Sequence, residues 1–235
     1  MTITANETQT DQTSNVDLIP ELAPYWQKLD FRDILSRPAA FVSISQSNSV
    51  YSPGGLLYHE GHDKRGSIPA TIKVVEAARK KENFISFNWV GYSLFRDKYP
   101  QTEFDKLQFD YFTGEGEYTE EEKDWDISLV DDLRAMVQPG DNELFEKAHQ
   151  TTFFGTDLPL EFSRKRVEVV VFAGIHLDWC IEGNVRNARD NGLLPIVIGD
   201  ATGAAEREQE AETFRRINDY FAPVISAEQF VEWTN

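Results

Sequence analysis

The chain has 235 residues, 40% of them hydrophobic, with 23 Lys+Arg against 40 Asp+Glu for a net charge of -17. This composition suits a globule with one large core and excludes a fibrous or wholly disordered chain. The acidic field repels phosphate backbones and anionic lipid, so neither nucleic acid nor a membrane is expected as the main partner. The single cysteine, Cys180, can form neither an internal disulfide nor a thiolate zinc cage. Residues 1–17 are rich in Thr, Asn, Gln and Asp and lack the basic and apolar regions of a signal peptide. No stretch approaches the length of a spanning apolar helix. A flexible segment over 1–30, a single domain over 31–235 and a cytoplasmic location are therefore expected.

In chain order, 39–44 (AAFVSI) reads as a short buried strand, followed by the turn signal Ser52-Pro53-Gly54-Gly55. Ile68, Ile72, Val75 and Ala78 mark a helical stripe over 68–81, and 84–90 (FISFNWV) is the next strand. An acid-rich stretch follows, an insertion around 101–138 whose acid run over 115–126 is expected to be exposed or to form a lid. Residues 144–147 form a weaker strand candidate, and 157–166 a short helix. The clearest buried strand is 167–173 (VEVVVFA), β-branched and ended by Gly174. A helix over 180–191 stops at Gly192, and a strand over 194–198 comes next. A long amphipathic helix over 204–221 leads to the apolar residues 223–225 and an N-cap at Ser226 with Gln229 three residues on.

Strands alternating with helices predict a mostly parallel sheet covered on both faces, a three-layer αβα sandwich. Ligands of such folds bind beyond the carboxyl ends of the strands. The loop Gly174-Ile175-His176-Leu177-Asp178-Trp179-Cys180 leaves the strongest strand and places the cysteine at the start of a helix. Unsatisfied N–H groups there favour a thiolate and can hold an oxyanion. An inert buried cysteine is the alternative on position alone.

Three segments resemble the isochorismatase-like cysteine hydrolases, in order, across residues 38–205. GIHLDWCI resembles the family's nucleophile turn, EKAHQTTFFGTDL its lysine segment, and AAFVSISQSNSVYSPGG its opening strand. The resemblance implies Cys180 as nucleophile and Lys147 as catalytic lysine. It implies an oxyanion hole from the backbone N–H groups of His176 and Cys180, with a cis peptide at Ile175–His176. The implied chemistry is hydrolysis of a C–N bond in a small amide, carbamoyl or ureido compound. A non-catalytic binding or assembly role and vinyl-ether hydrolysis are the alternatives.

One departure stands out. The family's catalytic aspartate aligns with Ser45 and its next acid with Ser49, and a serine hydroxyl cannot act as a general base near neutrality. Three readings are open: another carboxylate reaches the site, with Glu60, Asp63 and Asp178 the acids nearest in sequence; Cys180 is already a thiolate; or only binding is retained. Aromatic residues crowd the same loops, and Trp179, Tyr92, Trp89 and Phe153 are expected to line the substrate pocket. His59, His62 and Asp63 have metal-ligand chemistry, but the remaining ligands of the nicotinamidase metal site have no match. No metal or other cofactor is expected. The family resemblance implies a homo-oligomer, a dimer or tetramer, acting on a small molecule.

Overall fold

The computed structural model describes residues 15–58, 67–92, 95, 102–114, 116–147 and 149–235, with the side chains of 146 and 147 outside the description. Six strands form one sheet: β1 (Ala39–Ile44), β2 (Phe84–Tyr92), β3 (Asn142–Lys147), β4 (Val169–Ile175), β5 (Leu194–Gly203) and β6 (Val224–Ile225). Every pairing is parallel, in the order β3-β2-β1-β4-β5-β6. The helices between them cover both faces, giving the expected αβα sandwich.

The two faces follow from the pleat, which sends successive side chains to opposite sides. On one side Ala39, Phe41, Trp89, Val169 and Val171 meet α1 (Phe31–Leu35), α3 (Ser67–Ala78) and α10 (Ala227–Thr234). On the other, Ala40, Val42, Val90, Val170 and Phe172 meet α7 (Leu158–Lys165), α8 (Glu182–Asp190) and α9 (Arg207–Tyr220). β1 and β4 are buried along their whole length, as their unbroken apolar runs require.

The acid-rich insertion folds into α4 (Glu103–Thr113), α5 (Glu120–Ile127) and α6 (Asp131–Arg134). Capping boxes at Thr102 and Thr119 start α4 and α5. The acid run is not wholly exposed, because Asp126 is buried, and beyond it Leu129 and Leu133 are buried as well. The N-terminal stretch also departs from expectation. Asn15 is fully buried and donates to the Thr202 carbonyl at 2.6 Å, and the Trp26 indole donates to the Asn218 carbonyl at 2.6 Å. From residue 15 onward the expected flexible segment is packed against β5 and α9. No helix among the described residues is long and apolar enough to cross a membrane.

The chain runs from β1 outward to β3 and then crosses back to β4 on the other side of β1. The strand order therefore reverses between β1 and β4, and a crevice opens at their carboxyl ends. Gly174, at φ +117, lies opposite Ile44 there, and a Cβ at this position would stand 2.0 Å from the Ile44 carbonyl oxygen. Gly174→Ala should accordingly cost about 3 kcal/mol or prevent folding, through backbone strain and overlap together. Urea unfolding of the variant measures this; a loss below about 1 kcal/mol would show that β1 and β4 separate easily.

Candidate active site

The site is built where β1 and β4 end. After Ile44 the chain enters Ser45 at φ +52, a conformation few non-glycine residues adopt, and its N–H donates to the Val90 carbonyl at 2.6 Å. The turn is anchored from below: the Ser43 hydroxyl donates to Gln46 Oε1 at 2.7 Å, and Gln46 Nε2 donates to Thr71 Oγ1 of α3 at 2.9 Å. A short helix, α2 (Asn48–Tyr51), then buries Ser49 and Val50.

On the β4 side the peptide between Ile175 and His176 is cis, as the family resemblance implies. A wide π turn over Leu177–Ile181 precedes α8, and Cys180 is the fourth residue of that turn. Cys180 therefore sits in the helical entry, two residues before the start of α8 and near its N-terminus, as the sequence suggested. Its side chain is buried.

A small cavity joins these two ends. Ser45, Ser49, Tyr92, His176, Trp179 and Cys180 line it, over an apolar floor of Val50, Leu57 and Ile175. Its enclosed volume is about 10 Å³, the space of roughly one water molecule and far below the usual range for binding pockets. The Trp179 ring lies 5.9 Å from Tyr92 and 6.2 Å from His176. Burial and the neighbouring Cys180 push the Tyr92 hydroxyl above the usual tyrosine range, so it remains a neutral donor and acceptor near the sulfur at physiological pH.

Other expected site residues lie elsewhere. Trp89 is fully buried within the core on the far side of β2; its indole N–H donates to Asp141 Oδ2 at 2.8 Å and its ring is 6.0 Å from Phe41. It does not line the cavity, because the pleat turns position 89 away from it. Phe153 faces Phe162, 6.2 Å away, and walls a separate depression beside α7. Lys147 closes β3 in register with Tyr92, which sets its backbone beside a cavity-lining strand end. His59, Glu60, His62 and Asp63 lie outside the described residues. Among the described residues, no three His, Cys, Asp or Glu side chains gather to hold a metal.

Of the candidate carboxylates, Asp178 is half-buried and outside the cavity lining, its carboxyl raised by burial and by nearby Glu182. Glu182 is itself buried; burial pushes its carboxyl up, but hydrogen bonds and charge from Arg216 and Arg186 overcome this and leave it lowered. The carboxylate that does approach is Asp126. It is 4% exposed, accepts the Leu56 N–H at 2.9 Å, and faces the Ser49 hydroxyl from behind the cavity wall. Burial raises its carboxyl above the usual range, while the Leu56 N–H and the Ser49 hydroxyl pull it back. Asp126 Oδ2, Ser49 Oγ and Ser45 Oγ are buried without a hydrogen-bond partner of ordinary geometry.

A second residue invisible to motif reading is Asn184, fully buried one turn beyond Cys180. Its Oδ1 accepts from the Thr152 N–H at 2.8 Å and from the Thr152 hydroxyl at 2.6 Å. Its Nδ2 donates to the Cys180 carbonyl at 2.7 Å and the Gln150 carbonyl at 3.1 Å. One amide thus ties the segment after β3 to the cysteine's turn. The i+4 spacing from Cys180 was the available signal; Asp126, inside an acid run, offered none.

The description "Isochorismatase domain" matches residues 39–229. The chain is 30% identical over 172 residues to the uncharacterized isochorismatase family protein YwoC of Bacillus subtilis (strain 168), covering 72% of this chain and 85% of that one. It is 28% identical over 205 residues to the ureidoacrylate amidohydrolase RutB of Pantoea ananatis (strain LMG 20103), covering 82% and 80%. In fold it is similar to a cysteine hydrolase from Pseudomonas syringae pv. phaseolicola 1448A, with a TM-score of 0.70 at 16% identity over 92% of this chain and 97% of that one.

Asn184→Ala strands two donors and two acceptors, so it should lower unfolding free energy by about 3 kcal/mol. Urea denaturation checks the magnitude, and a value under about 1 kcal/mol would mean that the Thr152 segment is held by other contacts.

Proposed function

This chain belongs to the isochorismatase family, and on that footing we propose that it is a hydrolase that cleaves the C–N bond of a small amide, carbamoyl or ureido compound through a thioester on Cys180. The observation that carries the reading is the shared cavity. The only sulfur nucleophile of the chain opens into it at the strand-order reversal, opposite the turn where the family carries its aspartate. The similarity to an amidohydrolase over four-fifths of the chain favours amide chemistry over vinyl-ether hydrolysis.

In this mechanism the Cys180 sulfur attacks the carbonyl carbon, and the backbone N–H groups of His176 and Cys180 receive the oxyanion. Collapse expels the nitrogen and leaves an acyl or carbamoyl thioester, which water then releases as the acid. Lys147, at the end of β3, stabilises the thiolate electrostatically and assists protonation of the leaving nitrogen. Trp179 and Tyr92 close the aromatic side of the pocket. Ser45 occupies the aspartate position without its acid–base capacity. A cytoplasmic dimer or tetramer completes this proposal.

Replacing the nucleophile provides the test. Cys180→Ala should reduce ammonia or amine release from a panel of carboxamides, N-carbamoyl amino acids and ureido acids to background, with an unchanged circular dichroism spectrum. Wild-type protein quenched during turnover should carry a covalent acyl adduct by mass spectrometry. Activity in the Cys180→Ala variant would rule out the thioester. Ser45→Asp should raise kcat/KM about tenfold or more by restoring a carboxylate at the site, within the usual range for a positioned acid–base group; an unchanged value in steady-state assays would show that position 45 has no acid–base role.

A further inference from the structure

We propose that Asp126 is the carboxylate that serves the Cys180 cavity, acting through the Ser49 hydroxyl as a positioning residue for the proton traffic that Ser45 cannot carry. The proposal rests on the thioester reading above.

The placement of Asp126 is over-determined. α5 is fixed at its start by the Thr119–Glu122 capping box. Its far end is stitched to the turn after β1 by a series of bonds. The Asn48 side-chain amide donates to the Trp125 carbonyl at 3.0 Å and the Asn48 N–H to the Ser128 carbonyl at 2.9 Å. Ser47 and Leu129 form an antiparallel bridge, and the Val130 N–H donates to the Gln46 carbonyl at 3.3 Å. Asp126 lies inside this seam, 4% exposed, with Oδ1 on the Leu56 N–H and Oδ2 without a hydrogen-bond partner of ordinary geometry, while the next N–H, of Leu57, donates to the Ser49 carbonyl at 3.0 Å. Ser49 is 2% exposed and forms part of the cavity wall that also holds Cys180. The Ser45 hydroxyl on the same wall is likewise buried and unpartnered.

For folding alone this arrangement is a poor one. A buried acid that receives one N–H and leaves its second oxygen unmatched is not offset by the fold. It becomes useful when a ligand fills the cavity. Ionised Asp126 draws the Ser49 proton toward Oδ2, so Ser49 Oγ presents its lone pairs to the cavity. As sulfur attacks the carbonyl, the S–H bond breaks and its proton passes to Ser49 Oγ, while the proton Ser49 held passes to Asp126. On collapse the transfer reverses: Asp126 returns a proton to Ser49, Ser49 delivers one to the leaving nitrogen, and the carboxylate is restored. The net change is one proton moved from sulfur to nitrogen, with no redox partner required.

No charged side chain among the described residues contributes to the shift of Asp126, which comes from burial, the Leu56 N–H and the Ser49 hydroxyl. The titratable groups on the elements around it are few. Tyr51 of α2 has its hydroxyl paired with Ser67 at 2.7 Å; Glu120, Glu121, Glu122 and Asp124 of α5 are exposed and Lys123 is half-buried; across the cavity are Tyr92, His176 and Cys180.

Because the chain has one cysteine, iodoacetamide labelling of this 235-residue chain reads Cys180 alone. Labelling rates across pH, kcat/KM on the most active amide of the panel, and Tm across pH would be measured for wild type, Asp126→Asn, Ser49→Ala and the exposed control Asp124→Asn. Asp126→Asn removes a negative charge from behind the wall that Ser49 and Cys180 share, so its labelling midpoint should move to lower pH by about half a unit or more, while kcat/KM falls about a hundredfold. A thiolate that forms more readily yet turns over less is a pairing that loss of packing does not produce. Ser49→Ala should lose kcat/KM similarly with a labelling midpoint close to wild type, because the charge remains.

Stability supplies a reading independent of the thiol. The folded carboxyl is raised above its unfolded value, so its contribution is fully present at acid pH and is lost as pH rises through the folded pKa. Asp126→Asn lacks that loss, so its Tm should match wild type near pH 4 and exceed it at pH 7 and above. An Asp126→Asn variant with wild-type labelling midpoint and kcat/KM within about twofold, while Cys180→Ala is inactive, would overturn the Asp126 assignment and leave the thioester reading standing. Activity in Cys180→Ala would overturn both.

Discussion

Everything at the candidate site depends on how closely β1 and β4 approach at their carboxyl ends. Ile44 and Gly174 face each other across that pair with no room for a side chain at position 174. The approach sets the Ser45 turn and the His176–Cys180 turn on the two lips of one crevice. It also makes the crevice narrow, because the strands diverge only after Ile44 and Ile175. Parallel pairing across a reversal of strand order creates such a crevice in any doubly covered sheet; the glycine determines how tight it is here.

The site is a junction of three chain segments with different physical origins. The cysteine's turn is held from behind by the Asn184 amide, which joins it to the segment after β3. The serine turn is held from below by the Ser43–Gln46–Thr71 chain of hydrogen bonds onto α3. The third contribution comes from α5, whose seam with the serine turn consists mainly of backbone bonds. Buried polar networks of this kind give a pocket its rigidity, since each member leaves an unmatched group when it moves.

The fold was largely legible in the amino-acid sequence. β4 announces itself through a β-branched run buried on both faces, and Cys180 through its place beyond that run. Position within a strand was legible, but the side of the sheet was not. Trp89 and Phe153 are aromatic residues in the right loops or strands, yet the pleat turns Trp89 into the core against Asp141, and Phe153 packs on Phe162. Residue type carries no record of facing when strand ends shift by a residue or two. The packed stretch from Asn15 to Trp26 was hidden for a related reason: its polar composition resembles a tail, but its hydrogen bonds reach residues nearly two hundred positions away. Asp126 is the strongest case. Within an acid run every carboxylate looks solvated, and only the tertiary seam separates the buried one from its exposed neighbours.

That seam has a further consequence for how the protein can change. An insertion on a sheet's rim is ordinarily a free module, able to lengthen, shorten or exchange residues while the scaffold stays indifferent. Here the bridge between Ser47 and Leu129 and the bonds from Asn48 tie the insertion into the first turn of the site. Insertion and wall are a single mechanical piece, so a substitution in α5 that moves this seam also shifts the serine lip of the cavity. The insertion and the site are therefore coupled, and neither can drift without the other.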